Sequence, residues 1–330
     1  MRNHMKNNMK KRSLTIVVLV ILAVIFAVIA VDFINNRPDR RRNNPYALDV
    51  DRYKKVDPAL VSHREARNLS LGPLKASCMV LYDDMLYIAG DSTVVRVRPD
   101  GTREQSFAIL PGPTCLLVDG QDMFVGYKDF VVRYDRSGNL ISRWENLGEN
   151  TVITNLAGKE DKVYVADAGN RRIVIFDRQG NRTGEFEGKA ETEAGHGFIV
   201  PSANFDLAVN TYGELWVVNP GKHALENYTD DGRMRGFWEN ASMEIDGFTG
   251  CCNPARITVM EDGAFVTSEK GMVRIKIHDA SGSLRSVVAG PEQFKEEGMA
   301  PDVCVDESGV VYALDFDRNT VRIFEPKDNG

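Results

Sequence analysis

Cysteine is scarce in this chain. Five residues in 330 are too few for a disulfide-built scaffold, and none are spaced as Cys-x-x-Cys. His63, His196, His223 and His278 show no ligand spacing, so no zinc centre is legible. No Ser-His-Asp arrangement, phosphate-binding loop or dinucleotide fingerprint stands out. The sequence therefore names no catalytic residue, no metal and no cofactor. Long apolar runs are scarce too, and the single one present lies near the N-terminus.

That run is Leu14 to Val31, with Thr15 as its only polar residue, and it reaches Ile34 if Asp32 is tolerated at an interface. It is long enough to cross about 30 Å of hydrocarbon as a helix. Val28-Ile29-Ala30 resembles a signal-peptide cleavage site, but a cleaved signal carries an apolar core of only about 7–15 residues. The length favours an uncleaved anchor. Five Lys/Arg precede the run and Arg37, Arg40, Arg41 and Arg42 follow it, a slight preference for a cytoplasmic N-terminus. The expected divisions are a cytoplasmic basic tail (1–13), a transmembrane helix (14–34), a juxtamembrane linker (35–61) and a folded domain (62–330). That domain is expected on the extracytoplasmic side.

The net charge of −6 is unevenly spread. Residues 1–42 hold nine Lys/Arg and two Asp/Glu, a net of +7, so the remaining 288 residues carry −13. An acidic domain repels phosphate backbones, and nucleic acid is not an expected partner.

What the domain does contain is a unit repeated six times. The clearest copy is Val163-Tyr-Val-Ala-Asp-Ala-Gly-Asn-Arg-Arg-Ile-Val-Ile-Phe-Asp-Arg-Gln-Gly180. It reads as strand, tight turn, strand, then an Asp-x-x-Gly turn. Tyr87, Phe124, Tyr164, Trp216, Phe265 and Tyr312 mark the same point in successive copies, at steps of 37, 40, 52, 49 and 47 residues. Four short strands per unit of 40–50 residues predict an all-β, six-bladed β-propeller. Inserts at 187–200 and 239–252 are expected on one rim. The sixth unit stops after its third strand, Val321–Phe324, and would leave an open edge. The alternation in residues 65–71 predicts that this segment supplies the missing strand.

The copies resemble the NHL-repeat family, whose propellers have six blades. The resemblance covers residues 75–326 and is carried best by Tyr164-Val-Ala-Asp-Ala-Gly-Asn-Arg-Arg-Ile and Val311-Tyr-Ala-Leu-Asp-Phe-Asp-Arg-Asn-Thr-Val-Arg-Ile. Gly247-Phe-Thr-Gly-Cys-Cys-Asn-Pro254 and Thr267-Ser-Glu-Lys-Gly271 look like the signature of a bacterial, membrane-anchored subgroup with no assigned activity. The family includes protein-binding propellers and a few lyases, so membership implies a fold and not a function.

One position per unit should line the central channel: Cys78, Cys115, Asn155, Asp206, Arg256 and Asp302. Such a ring is either a ligand site or polar simply because the channel holds water. Asn155, Asp206 and Asp302 could ligate calcium, as in related lactonase propellers, but three oxygens fall short of the usual six to eight. Cys251-Cys252 is the most unusual pair. Adjacent cysteines can tighten a turn, close a strained disulfide, or offer two thiolates to a soft metal. Glu269 is either an acid/base group beside that loop or half of an exposed ion pair. With Asn253 and Arg256, these residues mark a channel mouth. The expected function is binding or scaffolding of a protein, peptide or small ligand. A lyase or lactone hydrolase at the same mouth, and a redox accessory role for Cys251-Cys252, are the alternatives.

Overall fold

The alternation of apolar and polar residues resolves into strands wherever the repeat predicts them. The structure is a computed structural model and describes residues 2–35, 50–189 and 197–327. Its contacts divide the chain into two units, Met1–Asp49 and Val50–Gly330. The first holds one helix, α1 (Arg2–Asn35). Within it, Ile16–Phe33 is apolar throughout save Asp32, has a mean hydropathy of 3.2 and buries none of its surface against protein. By length and composition this helix can span a membrane.

The second unit is a ring of six antiparallel four-stranded sheets. Blade one is β2–β5 (Ala76–Tyr82, Met85–Gly90, Thr93–Val97, Arg103–Ala108), after the edge-filling β1 (His63–Ser70). Blade two is β6–β9 (Cys115–Asp119, Asp122–Gly126, Val131–Asp135, Leu140–Arg143). Blade three is β10–β13 (Ile153–Lys159, Lys162–Asp167, Arg172–Asp177, Arg182–Phe186). Blade four is β14–β17 (Leu207–Val209, Leu215–Asn219, Ala224–Tyr228, Met234–Glu239). Blade five is β18–β21 (Arg256–Val259, Phe265–Ser268, Ile275–His278, Leu284–Ala289). Blade six is β22–β24 (Asp302–Val305, Val311–Asp315, Thr320–Pro326) plus β1.

The ring closes as the open edge requires. β1 pairs antiparallel with β24, Asn68 opposite Arg322 and Leu69 opposite Val321. Leu71 then seals the seam between blades six and one beside Leu86, Leu314 and Val321. Part of the stretch expected as a linker is also structured. Val50–Lys54 and Pro58–Leu60 form 3-10 turns, and Val61 bridges to Val287 of blade five.

Each blade buries its faces against both neighbours. Five of the six marker aromatics face the following blade: Tyr87, Phe124, Tyr164, Trp216 and Tyr312. Phe265 does not. It packs with Trp238 and Ile257 against blade four, while its neighbours Ala264 and Val266 face blade six. The aromatic in unit five is therefore one residue out of register, and a one-residue offset in a strand reverses the face.

The Asp-x-x-Gly turns lock successive blades. Asp177 accepts bonds from the backbone of Gln179 (2.9 Å) and Asn181 (2.8 Å). This lets Gly180 take φ +94°, where a Cβ would lie 2.2 Å from the Trp144 ring of blade two. Gly282 lies in the same way on Trp238.

Candidate functional site

The six predicted ring residues lie on or immediately before the inner strands, and three of them, Asn155, Asp206 and Asp302, bond to the next blade. Asp206 Oδ2 accepts from Ile257 N (2.7 Å), joining blades four and five. Asp302 Oδ2 accepts from Met79 N (2.8 Å), joining six and one. Asn155 Nδ2 donates to Leu207 O (3.3 Å), joining three and four. These side chains clasp the inner strands together. The channel between them has a volume of about 350 Å³, with Cys78, Cys115, Asn155, Arg256 and Asp302 on its wall.

The charge balance in the channel is set by burial. Asp206 is pushed up to about 7, chiefly by loss of water and further by Asp302, with Arg256 opposing. Asp302 is raised for the same leading reason. Burial also raises the Cys78 thiol, and takes that of Cys115 to about 12, which leaves both thiols protonated and unreactive at neutral pH.

Arg256 lies in the field of Asp302 and Asp206 without touching either. Its Nη1 donates to Thr154 O across the channel (3.3 Å). No Asp or Glu oxygen lies within 4.0 Å of its guanidinium among the described residues. Burial would lower its affinity for the proton, but the charges of Asp302 and Asp206 outweigh this and raise it. Arg256 stays cationic with most of its donors uncommitted.

Above Arg256 the channel opens into a cleft of about 870 Å³. Its wall comes from the starts of inner strands and the turns between second and third strands, which antiparallel alternation puts on one face of the ring. Ser202, Cys251, Lys270, Glu297, Met299 and Arg256 are among the lining residues, so two cations and one carboxylate share the cleft. The insert at 239–252 leads into this face. Residues 190–196 of the other insert, His196 included, lie outside the described residues.

Cys251 is exposed at the lip and Cys252 is buried, with 3.1 Å between their sulfurs. Lys270 Nζ donates to Ser202 Oγ (3.2 Å) beside Cys252. Burial would raise the Cys252 thiol. Hydrogen bonds from Ser202 and Cys251, with the Lys270 charge, outweigh it and hold this thiol below its ordinary value. Cys251 moves the other way, because its thiol hydrogen-bonds to Cys252 and because a neighbouring thiolate disfavours a second charge.

Asn253 lies at the cleft wall, but its side-chain amide is committed to the backbone. Its Nδ2 donates to Thr249 O (2.7 Å) and its Oδ1 accepts from Lys270 N (2.9 Å), tying the cysteine loop to the turn that carries Lys270. His223 Nδ1 donates to Asn253 O (2.8 Å), which engages that histidine in the same support.

Glu269 is neither an exposed ion pair nor a cleft residue. It is fully buried, bonded by Arg274 (Nε–Oε1 2.8 Å, Nη2–Oε2 2.7 Å), Lys276 (3.0 Å) and Thr249 N (3.0 Å). Once the one-residue offset of unit five is allowed for, Glu269 stands where Asp167 stands in unit three, and Arg274 where Arg172 stands. There, Asp167 accepts from Arg172 Nε (2.9 Å) and Val152 N (3.1 Å). Glu269 is the architectural acid of the repeat, enlarged to hold a second cation. Arg274 Nη2 and Lys276 in turn bind Gly247 O, which pins the 243–249 loop.

Sequence reasoning passed over Lys270, Ser202 and Met299 as site residues. Lys270 was legible in principle: Thr267-Ser-Glu-Lys alternates at a strand end, so an inward Glu269 directs Lys270 outward. Ser202 and Met299 reach the cleft from connections that carry no repeat signal.

No family model matches this sequence, and no curated protein matches it. Solved structures do. A catalytically inactive virginiamycin B lyase from Staphylococcus aureus with quinupristin aligns at TM-score 0.56 and 14% identity, over 78% of this chain and 82% of that one. A Bacteroides thetaiotaomicron protein of unknown function aligns at TM-score 0.56 and 17% identity, over 79% and 72%. The WD40 propeller domain of Doa1 aligns at TM-score 0.55 and 12% identity, over 81% and 98%. At these identities the likeness is one of fold: the chain is a six-bladed β-propeller carrying an N-terminal apolar helix long enough to span a membrane.

Proposed function

We propose that this chain is a membrane-anchored, extracytoplasmic propeller of NHL type that binds a small ligand bearing a carboxylate or phosphate at the Cys251 mouth. The observation that carries this reading is Arg256. A guanidinium at the floor of an 870 Å³ cleft, free of direct carboxylate contact, presents the fork that clamps a planar anion. Lys270 stands on the wall of the same cleft and adds a second positive charge. The NHL assignment is supported by the recurring buried acid and arginine of units three and five; Asp315 keeps the acid's place in unit six, where Thr320 stands for the arginine and Arg318 binds the acid from the turn (2.8 Å). Binding without turnover is favoured over lyase or lactone hydrolysis. Among the described residues of the lining no carboxylate or histidine is hydrogen-bonded to a serine or cysteine, Lys270 on Ser202 being the one amine–hydroxyl pair, and the likeness to a lyase extends to its fold alone.

The test is calorimetric titration of the detergent-solubilised full-length protein with succinate and with inorganic phosphate, before and after Arg256→Met. Saturable binding of either anion that weakens about 10- to 100-fold in the variant is expected, the worth of a charged hydrogen bond. Equal binding by the variant sinks the reading.

A further inference from the structure

We infer that Cys251 and Cys252 form a dithiol–disulfide exchange site at the lip of the cleft, whose substrate is a disulfide on a small thiol compound or an exposed peptide. The inference stands on the cysteines and is independent of anion binding by Arg256.

Three observations converge. First, the two sulfurs are already 3.1 Å apart, in a loop fixed at one end by Thr249 N on Glu269 and at the other by Asn253 on Lys270. Second, access is divided between them. Cys251 is exposed and lines the cleft, while Cys252 is buried with Ser202 and Lys270 beside it, a setting that favours its thiolate. Third, the remaining cysteines are closed to this chemistry, since Cys78, Cys115 and Cys304 are buried and their thiols raised.

The chemistry balances in two steps. Cys251, giving up its proton to water, attacks one sulfur of the incoming disulfide. A mixed disulfide forms, the substrate S–S bond breaks, and the first thiol leaves with a proton. The Cys252 thiolate then attacks Cys251 Sγ. The vicinal bond forms, the mixed bond breaks, and the second sulfur leaves as a thiolate that takes its proton from water. Two electrons pass from the protein dithiol to the substrate disulfide. Adjacent residues have Cα atoms about 3.8 Å apart, below the usual span of a cystine, so the vicinal bond is strained and readily reduced. Such a bond suits reversible exchange better than a structural staple.

The experiment treats the reduced full-length protein in detergent with two probes, glutathione disulfide and uncharged 2-hydroxyethyl disulfide, and follows thiols and adducts by mass spectrometry. With both probes the wild type should end with an intramolecular bond in the peptide containing Cys251 and Cys252, and no lasting adduct. Phenylarsine oxide, which bridges paired thiols, should block the reaction. Cys252→Ser should accumulate the mixed disulfide on Cys251, with its lifetime lengthened at least tenfold. Cys251→Ser should react at least tenfold more slowly than Cys252→Ser, because the remaining sulfur is buried. A wild type that keeps a stable adduct, or that is modified first at Cys78, Cys115 or Cys304, overturns the proposal whether or not the variants fold. Reaction with both probes but no preference for the carboxylated one would leave exchange standing and count against the anion reading alone.

Discussion

Glu65, near the start of β1, grips Arg322 in β24 through Nε–Oε1 (3.0 Å) and a second, shorter contact, and so ties the two ends of the propeller together. Arg322 is buried and also donates to Gln293 O (2.9 Å). Its hydrogen bonds, helped by its charge and opposed by burial, hold the Glu65 carboxyl below the ordinary value. Glu65→Ala should cost about 1–3 kcal/mol, the range for a hydrogen bond to a charged group. Deleting residues 62–72 should do far more, opening an edge and removing Leu71 from the seam. Thermal melting checks both. An unchanged melting temperature for the deletion would show that the strand contributes nothing to closure.

Glu269 neutralises two buried cations, so Glu269→Gln should destabilise the propeller by about 3–5 kcal/mol. Lys276→Met leaves the Arg274 bond intact and should cost less than half of that. Urea unfolding of the two variants separates this from a site role, in which Glu269→Gln would weaken binding while leaving the midpoint in place.

Channel burial makes stability depend on pH. The folded state holds protons on Asp206 and Asp302 more tightly than the unfolded chain does. The stability they contribute is complete below about pH 4 and is lost as pH rises towards 7, where Asp206 titrates. Asp206→Asn should flatten the decline over that window. It should also lower stability at pH 5 by about 1 kcal/mol, because both Asp206 oxygens accept backbone N–H bonds and the amide keeps one acceptor. Melting between pH 4 and 8 decides it, and an unaltered slope in the variant would assign the dependence elsewhere.

The apolar helix predicts that the full-length protein remains with membranes after high-salt washing, and the extracytoplasmic reading proposed above predicts that protease added to spheroplasts digests the propeller. Release of a form beginning near Val31 would mark cleavage. Protection of the propeller in intact spheroplasts would reverse the orientation.

Much of the architecture is written in local signals. The Asp-x-x-Gly turns, the alternation and the spacing of the aromatics each report a chemistry confined to a few neighbouring residues. Blade number follows from counting them, and the position of β1 from the edge that β24 would otherwise expose. The apolar run from Leu14 is equally local. The signal fails where facing depends on partners far along the chain. Phe265 looks like the other five markers, yet its strand is shifted by one residue and it packs on blade four. The same shift makes Glu269 the counterpart of Asp167, and no spacing within unit five reveals that.

The site divides along the same line. Sequence alone determined that Cys251 and Cys252 adjoin, that Arg256 is the one cation of the inner ring, and that polar residues recur around the channel. Tertiary structure decided the use of each: Asp206, Asp302 and Asn155 clasp adjacent blades, Asn253 braces a turn, and Glu269 is consumed by Arg274 and Lys276. It also placed Lys270 and Ser202 beside Cys252 and left Arg256 facing an open cleft. The physical reason is that burial, not residue type, sets whether a carboxylate, thiol or guanidinium is committed to its neighbours or available to a ligand, and burial here is created by blades that meet only when the ring has closed.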